Sequence, residues 1–214
     1  MSVVVLAGTI GAGKSSLTEM LAAELQCPSF FESVEDNEVL PLFYENPNQY
    51  AFLLQIYFLN KRFDSIKQAF QTGNSVMDRS IYEDSLLFHL NADLGRATKT
   101  EVAVYDDLLA NMMQELPLAA KKKHPDLLVH IKVSFETMLK RIKKRGREFE
   151  QLSYDPSLYE YYQKLNQRYD QWFADYQESP KIQIDGDALN FVEDPQAQAT
   201  VLQMVREKLA EVDE

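Results

Sequence analysis

The stretch that most constrains this chain lies at its start, where the apolar run "VVVLA" (residues 3–7) leads directly into "GTIGAGKSS" (residues 8–16). Gly8, Thr9, Ile10, Gly11, Ala12, Gly13, Lys14 and Ser15 satisfy G-x-x-x-x-G-K-[ST] at every fixed position, and Ser16 follows. The motif carries weight only between a strand and a helix, and here an apolar strand-like run precedes it and an amphipathic segment follows. Glycines let successive backbone N–H groups turn inward, and the start of a helix adds its positive end. Lys14 supplies a mobile cation, and the Ser15 hydroxyl is a ligand suited to Mg²⁺. These features predict a nucleotide-phosphate site.

Such a loop needs a sheet behind it. Short apolar runs recur at 2–8, 28–33, 74–80, 125–134 and 181–187, continuous rather than alternating, as expected for parallel strands covered on both faces. Helices are expected at 14–25, 47–72, 82–92, 99–116, 135–145, 157–178 and 195–211. The clearest is 47–72, where Phe52, Ile56, Leu59, Phe63, Ile66 and Phe70 step by fours and threes and predict one buried stripe. With 214 residues, 45 % of them apolar, and no linker or repeat, the chain is expected to form one α/β domain over 1–214.

Charge narrows the partners. A formal net charge of −11 argues against nucleic acid and anionic membranes, both of which need a basic face. The single cysteine, Cys27, excludes an intrachain disulfide and fits a reducing, cytoplasmic setting. Residues 3–7 are too short for a signal peptide or a membrane span, so a soluble, unprocessed protein is expected.

A phosphate loop alone leaves switch GTPases, ATPases and small-molecule kinases open. The only "NK", Asn60-Lys61, continues as Arg62-Phe63 rather than as a guanine-reading N-K-x-D, which disfavours the GTPases. Other groups fall at strand ends, where parallel sheets place their ligands. Glu32, in "SFFES", is suited to accepting a proton from an attacking hydroxyl or to holding metal-bound water. In "MDRSIYED", Asp78 and Arg79 close the third strand, with an acid for a metal site beside a guanidinium for transition-state charge, and Asp84 follows a turn later. Six of the 22 basic residues sit in "KRIKKRGR" (140–147), with Arg141 and Arg145 on one helical face and Arg147 beyond Gly146. Beside a phosphate loop this cluster suggests a lid. Gln55 and Arg62, two turns apart on the long helix, are placed to read a base edge, or to be polar boundary groups.

In order and spacing, "GTIGAGKSS", "FFES", "LFYENPNQYAFLLQIYFLNKRF", "DRSIYED", "KRIKKRGREFEQL" and "IDGDALNF" together resemble the deoxynucleoside kinase family over nearly the whole chain. The form of "DRSIYED" is most similar to the bacterial deoxyadenosine/deoxyguanosine kinase branch. The resemblance implies a P-loop kinase fold with a five-stranded parallel sheet between helices and an arginine-rich lid at about 140–152. It implies that Lys14 and Ser15 bind the phosphates and Mg²⁺ of ATP, and that Glu32 is general base for the deoxyribose 5′-hydroxyl. Arg79 would hold Glu32 and contact phosphate, Asp78 would assist the metal, and Arg141, Arg145 and Arg147 would form the lid. Tyr44 and Glu150 would hold the 3′-hydroxyl, and Gln55, Arg62 and Asp84 would read the base. Phe88 would pack on the base, and the segment from Asp185 and Gly186 to Phe191 would cover the donor adenine.

The family further implies a cytosolic salvage enzyme, a homodimer or a dimer with a related kinase subunit, and a purine deoxynucleoside substrate. Deoxyadenosine is placed slightly ahead of deoxyguanosine, with deoxycytidine open to the same base-reading set. Two positions depart from the family pattern: Ser33 follows Glu32 where many relatives have proline, and the only tryptophan is Trp172. Relatives of the animal type carry glutamate where Asp78 stands. Two rivals remain at this point. One is a nucleoside monophosphate kinase of the thymidylate kinase kind, opposed by the absence of any Lys or Arg from 32 to 60. The other is a nucleotide-binding regulator without turnover, opposed by the complete set of catalytic residue types.

Overall fold

The computed structural model describes residues 2–31, 36–119 and 124–213. Five strands, β1 (Val3–Ala7), β2 (Ser29–Phe30), β3 (Ser75–Met77), β4 (Leu127–Lys132) and β5 (Lys181–Asp185), form one sheet in the order β2-β3-β1-β4-β5. Every pairing is parallel: Val5 lies opposite both Met77 and Leu128, Phe30 opposite Met77, and Ile131 opposite Ile184. β1 is therefore central. The chain passes to β2 and β3 on one side and to β4 and β5 on the other, which opens a crevice beyond the carboxyl end of β1.

The helices are α1 (Lys14–Glu24), α2 (Val39–Glu45), α3 (Pro47–Thr72), α4 (Ile81–Asp93), α5 (Lys99–Ala119), α6 (Phe135–Arg145), α7 (Leu158–Asp175) and α8 (Pro195–Asp213), with a 3₁₀ turn at Glu148–Glu150. Successive side chains of β1 point to opposite faces. Val4 and Leu6 join a core with Leu17 and Leu21 of α1 and Val201 and Val205 of α8. Val3, Val5 and Ala7 join a second core with Leu59, Ile66 and Phe70 of α3 and Tyr105 of α5. The sheet is thus covered on both faces, as its unbroken apolar runs require.

Three differences from expectation have physical causes. The strands are shorter than their apolar runs, because residues beyond the ladder turn into the loops that build the crevice; β2 is only two residues among the described positions, and 32–35 lie outside them. α2 was not expected. A proline in its first turn obscures its pattern, and Asn37 starts it by accepting from the N–H groups of Val39 and Leu40, each at 3.0 Å. The buried face of α3 is rotated from the expected stripe: Leu54, Gln55, Leu59, Arg62 and Ile66 are buried, whereas Phe52, Ile56 and Phe63 lie partly buried at its edge. The Phe/Ile pattern located the helix but misplaced its inward face, because two polar residues belong there. Among the described residues, no helix is long and apolar enough to cross a membrane.

Candidate active site

The phosphate loop leaves β1 and closes on itself. Lys14 Nζ donates to the carbonyls of Gly8 (2.7 Å) and Thr9 (3.0 Å), and Ala12 N–H donates to Thr9 at 3.1 Å. Gly8 cannot be replaced freely. Its φ is +148°, and a Cβ there would meet the Ile131 carbonyl oxygen of β4 at 2.7 Å. Ser15, in the first turn of α1, donates its hydroxyl to Asp78 Oδ2 at 2.7 Å, bringing two hard oxygen donors together where β1 and β3 end. That pair fits a small divalent cation such as Mg²⁺, which prefers carboxylate, hydroxyl and phosphate oxygens.

Two cavities meet at this loop. One, about 590 Å³, runs between α2, α3, α4 and α7 and is lined by Leu40, Tyr44, Leu54, Gln55, Leu87 and Tyr161 among others. The other, about 620 Å³, lies between the start of α1, α6 and the segment after β5 and is lined by Ser16, Arg141, Gly186, Asp187 and Asn190 among others. Gly11, Lys14, Ser15 and Arg145 line both. Each is large enough for a small-molecule ligand, so two ligands could face one another across a shared cluster of phosphate-binding groups.

The first cavity is lined by apolar and polar groups alike. Arg62 Nε donates to Asp84 Oδ2 at 3.2 Å in a pair almost wholly removed from water. Gln55 is also buried; its amide donates to the Asp84 carbonyl at 2.8 Å and reaches the Tyr105 hydroxyl at 3.4 Å. Burial and the adjacent Asp84 carboxylate push the Tyr105 hydroxyl pKa well up, so it stays a neutral phenol. Gln55 lines the cavity, whereas Arg62 and Asp84 stand behind it. Phe88 differs from expectation: it is fully buried, packed on Tyr105 with ring centres 5.0 Å apart and near Phe52, and does not line the cavity wall, where Leu87 and Phe58 stand instead.

At the other end of the cavity, Tyr44 and Glu150 are brought together through Tyr162, whose hydroxyl donates to the Glu150 carbonyl at 3.0 Å. Burial, reinforced by neighbouring Tyr162 and Glu150, drives the Tyr44 pKa far above the ordinary phenol range. The Glu150 carboxylate is 3 % exposed and pairs with Arg145 and with Arg147, the latter at 3.5 Å. Both arginines thus reach the same group from the two sides of Gly146, whose left-handed conformation ends α6.

Arg141 stands apart from them. It donates to the Ala12 carbonyl and the Gly186 carbonyl, each at 2.8 Å, and so ties the phosphate loop to the segment after β5. The expected three-arginine lid is divided here into one arginine spent on backbone carbonyls and two held by Glu150. Asp185 also differs: its carboxylate accepts from the N–H groups of Asp187 and Ala188, shaping the turn, while Gly186 and Asp187 line the cavity. Phe191 packs against the loop at Gly13 rather than over open space. Glu32 lies outside the described residues.

The sequence reading missed Glu83, Tyr162 and Tyr169. Glu83 is fully buried; Tyr169, on α7, donates to Glu83 Oε1 at 2.8 Å and accepts from Arg79 Nη1 at 3.2 Å. A signal existed for Glu83, since Ser80-x-x-Glu83 before an apolar run reads as a capping box. Nothing comparable marks the tyrosines among 11 in the chain.

A parallel sheet with a phosphate loop at its central strand, a second cavity against that loop and arginines between the two defines a P-loop phosphotransferase. The deoxynucleoside kinase family matches residues 4–210, and the chain belongs to that family. It is 58 % identical to a deoxyguanosine kinase of Lactobacillus johnsonii over 99 % of this chain and 94 % of the relative. It is 54 % identical to a deoxyadenosine kinase of Lactobacillus acidophilus over 99 % of this chain and 98 % of the relative. A structure of deoxyadenosine kinase from M. mycoides with bound dATP superposes with a TM-score of 0.78 at 29 % identity, covering 97 % of this chain and 99 % of that one. The chain is a kinase with a P-loop kinase fold, and it phosphorylates deoxynucleosides.

Proposed function

We propose that this enzyme moves the γ-phosphoryl group of ATP to the 5′-hydroxyl of a purine deoxynucleoside, with deoxyadenosine and deoxyguanosine both accepted and deoxycytidine a lesser substrate. The observation that carries the reading is the pair of cavities sharing Gly11, Lys14, Ser15 and Arg145. A donor in one and an acceptor in the other would meet at a cluster of cations. Names divided between deoxyguanosine and deoxyadenosine kinases among relatives of 54–58 % identity support a purine acceptor.

We assign residue roles from the positions described above and, for Glu32, from the family resemblance alone. Gly8 to Ser16 cradle the donor phosphates, with Lys14 exchanging its carbonyl partners for phosphate oxygens. Arg141, Gly186 and the segment to Phe191 form the donor side. Ser15 and Asp78 hold Mg²⁺, which when bound neutralises phosphate charge. Glu32 accepts the proton of the 5′-hydroxyl, Arg79 stabilises charge on the transferred group, and Arg145 and Arg147 close from the lid, about 140–152, as Glu150 turns to the 3′-hydroxyl beside Tyr44. Gln55 meets the base edge, oriented by the Arg62–Asp84 pair behind it. Phe88 supports the base wall from the core. Catalysis is then positioning plus electrostatics.

We place the enzyme in the cytoplasm as a single catalytic unit and as a dimer, homomeric or with a related kinase subunit. Leu53 of α3 and Val104 of α5, each half exposed, are the positions to substitute in testing the subunit contact. Light scattering in solution tests the assembly.

The deciding experiment measures ADP release with ATP and Mg²⁺ while deoxyadenosine, deoxyguanosine, deoxycytidine, thymidine and dTMP are offered separately. Purine nucleosides are expected to turn over fastest; turnover with dTMP alone would overturn the acceptor reading. Glu32→Gln is expected to keep ATP affinity and lose most of kcat, and an unchanged rate would remove Glu32 from the role of base.

A further inference from the structure

A capping box needs one carboxylate oxygen, and Glu83 uses its Oε2 for that: the Ser80 N–H donates to it at 2.9 Å at the start of α4. Capping boxes ordinarily sit at the surface, but Glu83 is 0 % exposed. Its other oxygen, Oε1, points away from the helix and accepts from the Gly8 N–H at 3.0 Å and from the Tyr169 hydroxyl at 2.8 Å. Arg79 Nη1 lies 3.6 Å from the same oxygen and donates to the Tyr169 hydroxyl at 3.2 Å. Four elements therefore meet on one buried carboxylate: the phosphate loop, the end of β3, the start of α4 and the middle of α7.

A fully buried carboxylate is costly unless its charge and lone pairs are satisfied. This one is compensated by two backbone N–H groups, a phenol and a guanidinium, a set that fixes orientation as well as charge. The consequence reaches the reacting groups on both sides. Gly8 is held on both sides of its Cα, its N–H on Glu83 and its carbonyl, in the following peptide, on Lys14 Nζ, so Glu83 anchors the residue on which Lys14 rests. Arg79 is held between Glu83 and Tyr169 at the wall of the acceptor cavity, which both Arg79 and Tyr169 line.

We propose that Glu83 is a positioning residue for phosphoryl transfer, fixing Arg79 and the entry of the phosphate loop in one geometry through its Oε1, with Tyr169 as its support. The inference rests on the assignment of Arg79 and the phosphate loop to transfer. A glutamine would keep the shape but replace one acceptor oxygen by an NH₂ facing an N–H donor, and it would remove the charge that faces Arg79. An interaction that serves only the geometry of transfer is lost from kcat rather than from KM.

The test compares Glu83→Gln, Tyr169→Phe and Arg79→Ala with the parent enzyme, by steady-state kinetics with ATP and the best nucleoside of the panel and by thermal melting. Loss of turnover in Arg79→Ala establishes the underlying assignment; retained turnover there defeats that assignment and not the inference alone. Given that loss, Glu83→Gln is expected to lower kcat at least about ten-fold and Tyr169→Phe about three-fold or more, with both KM values within about three-fold of the parent. A lower melting temperature with kcat retained would reduce Glu83 to a helix cap and overturn the inference, as would KM values that rise as far as kcat falls. If Glu83→Gln does not fold, the same criteria applied to Tyr169→Phe decide.

Discussion

The two sides of the crevice, to which we assign the donor and the acceptor, are built from different materials. On the donor side the contacts are largely made by backbone: Lys14 rests on two carbonyls, Arg141 on two more, and Gly8 lies where β4 leaves no room for a Cβ. On the acceptor side the contacts are made mostly between side chains, with Arg62 on Asp84 behind the wall, Gln55 reaching Tyr105 as well as the Asp84 carbonyl, and Arg145 and Arg147 on Glu150. Backbone groups are the same in every sequence and suit a ligand part that never varies, the polyphosphate. Side chains can be exchanged without moving the fold, and so suit the part that distinguishes one substrate from another.

The largest effect should come from breaking the backbone cradle. Gly8→Ala forces a side chain into a carbonyl oxygen at a φ of +148°, and is expected to cost about 3 kcal/mol of stability or more and to abolish measurable turnover. Chemical denaturation and the ADP-release assay check both, and an active, stable variant would break the contrast between the two sides. Next in size is Glu150→Gln, which withdraws the charged partner of two lid arginines; kcat/KM for the nucleoside should fall on the order of 30-fold while KM for ATP stays within about two-fold. Arg141→Ala should give the mirror image, with KM for ATP up about ten-fold and the nucleoside KM unmoved. If both variants shifted both constants equally, the two sides would be one energetic unit.

The same contrast explains what could be read from sequence. The phosphate loop, the parallel sheet and Asp78 beside Ser15 were legible because glycines, a strand-like run and one lysine at fixed spacing admit few other structures. The acceptor wall was only partly legible. Gln55 and Arg62 were read as flanking an apolar stripe when they lie inside the buried face, since a buried polar residue is disclosed only by its partners, here Asp84 and Tyr105 from two other helices. Phe88 was expected against the base by resemblance, and it is buried behind the cavity wall, where Leu87 stands. α2 was hidden by its proline, and Glu83 announced a helix start but not that its second oxygen would reach the phosphate loop.

The smallest effect lies where the two sides join beneath the loop, and it appears only in acid. His130 of β4 is 1 % exposed, its ring stacked on Tyr169 and Phe173 with Nδ1 3.0 Å from the Gln183 amide. Burial, opposed by Asp170 and reinforced by Lys132 and Lys14, pulls its pKa from 6.5 down to about 4. The unfolded chain takes up this proton as pH falls through about 6.5 and the folded chain does not until about pH 4, so folding loses stability across that window and nothing further below it. The full loss is about 3 kcal/mol. His130→Phe keeps an aromatic ring in the stack and leaves the exposed Gln183 to water. At pH 7.5 its turnover and KM values should equal those of the parent within about two-fold. Melting curves from pH 7.5 to 4 should diverge, the parent losing stability more steeply than the variant. Parallel curves would mean that His130 takes up its proton in the folded chain as readily as in the unfolded one, and that its aromatic surroundings admit the charge they should exclude.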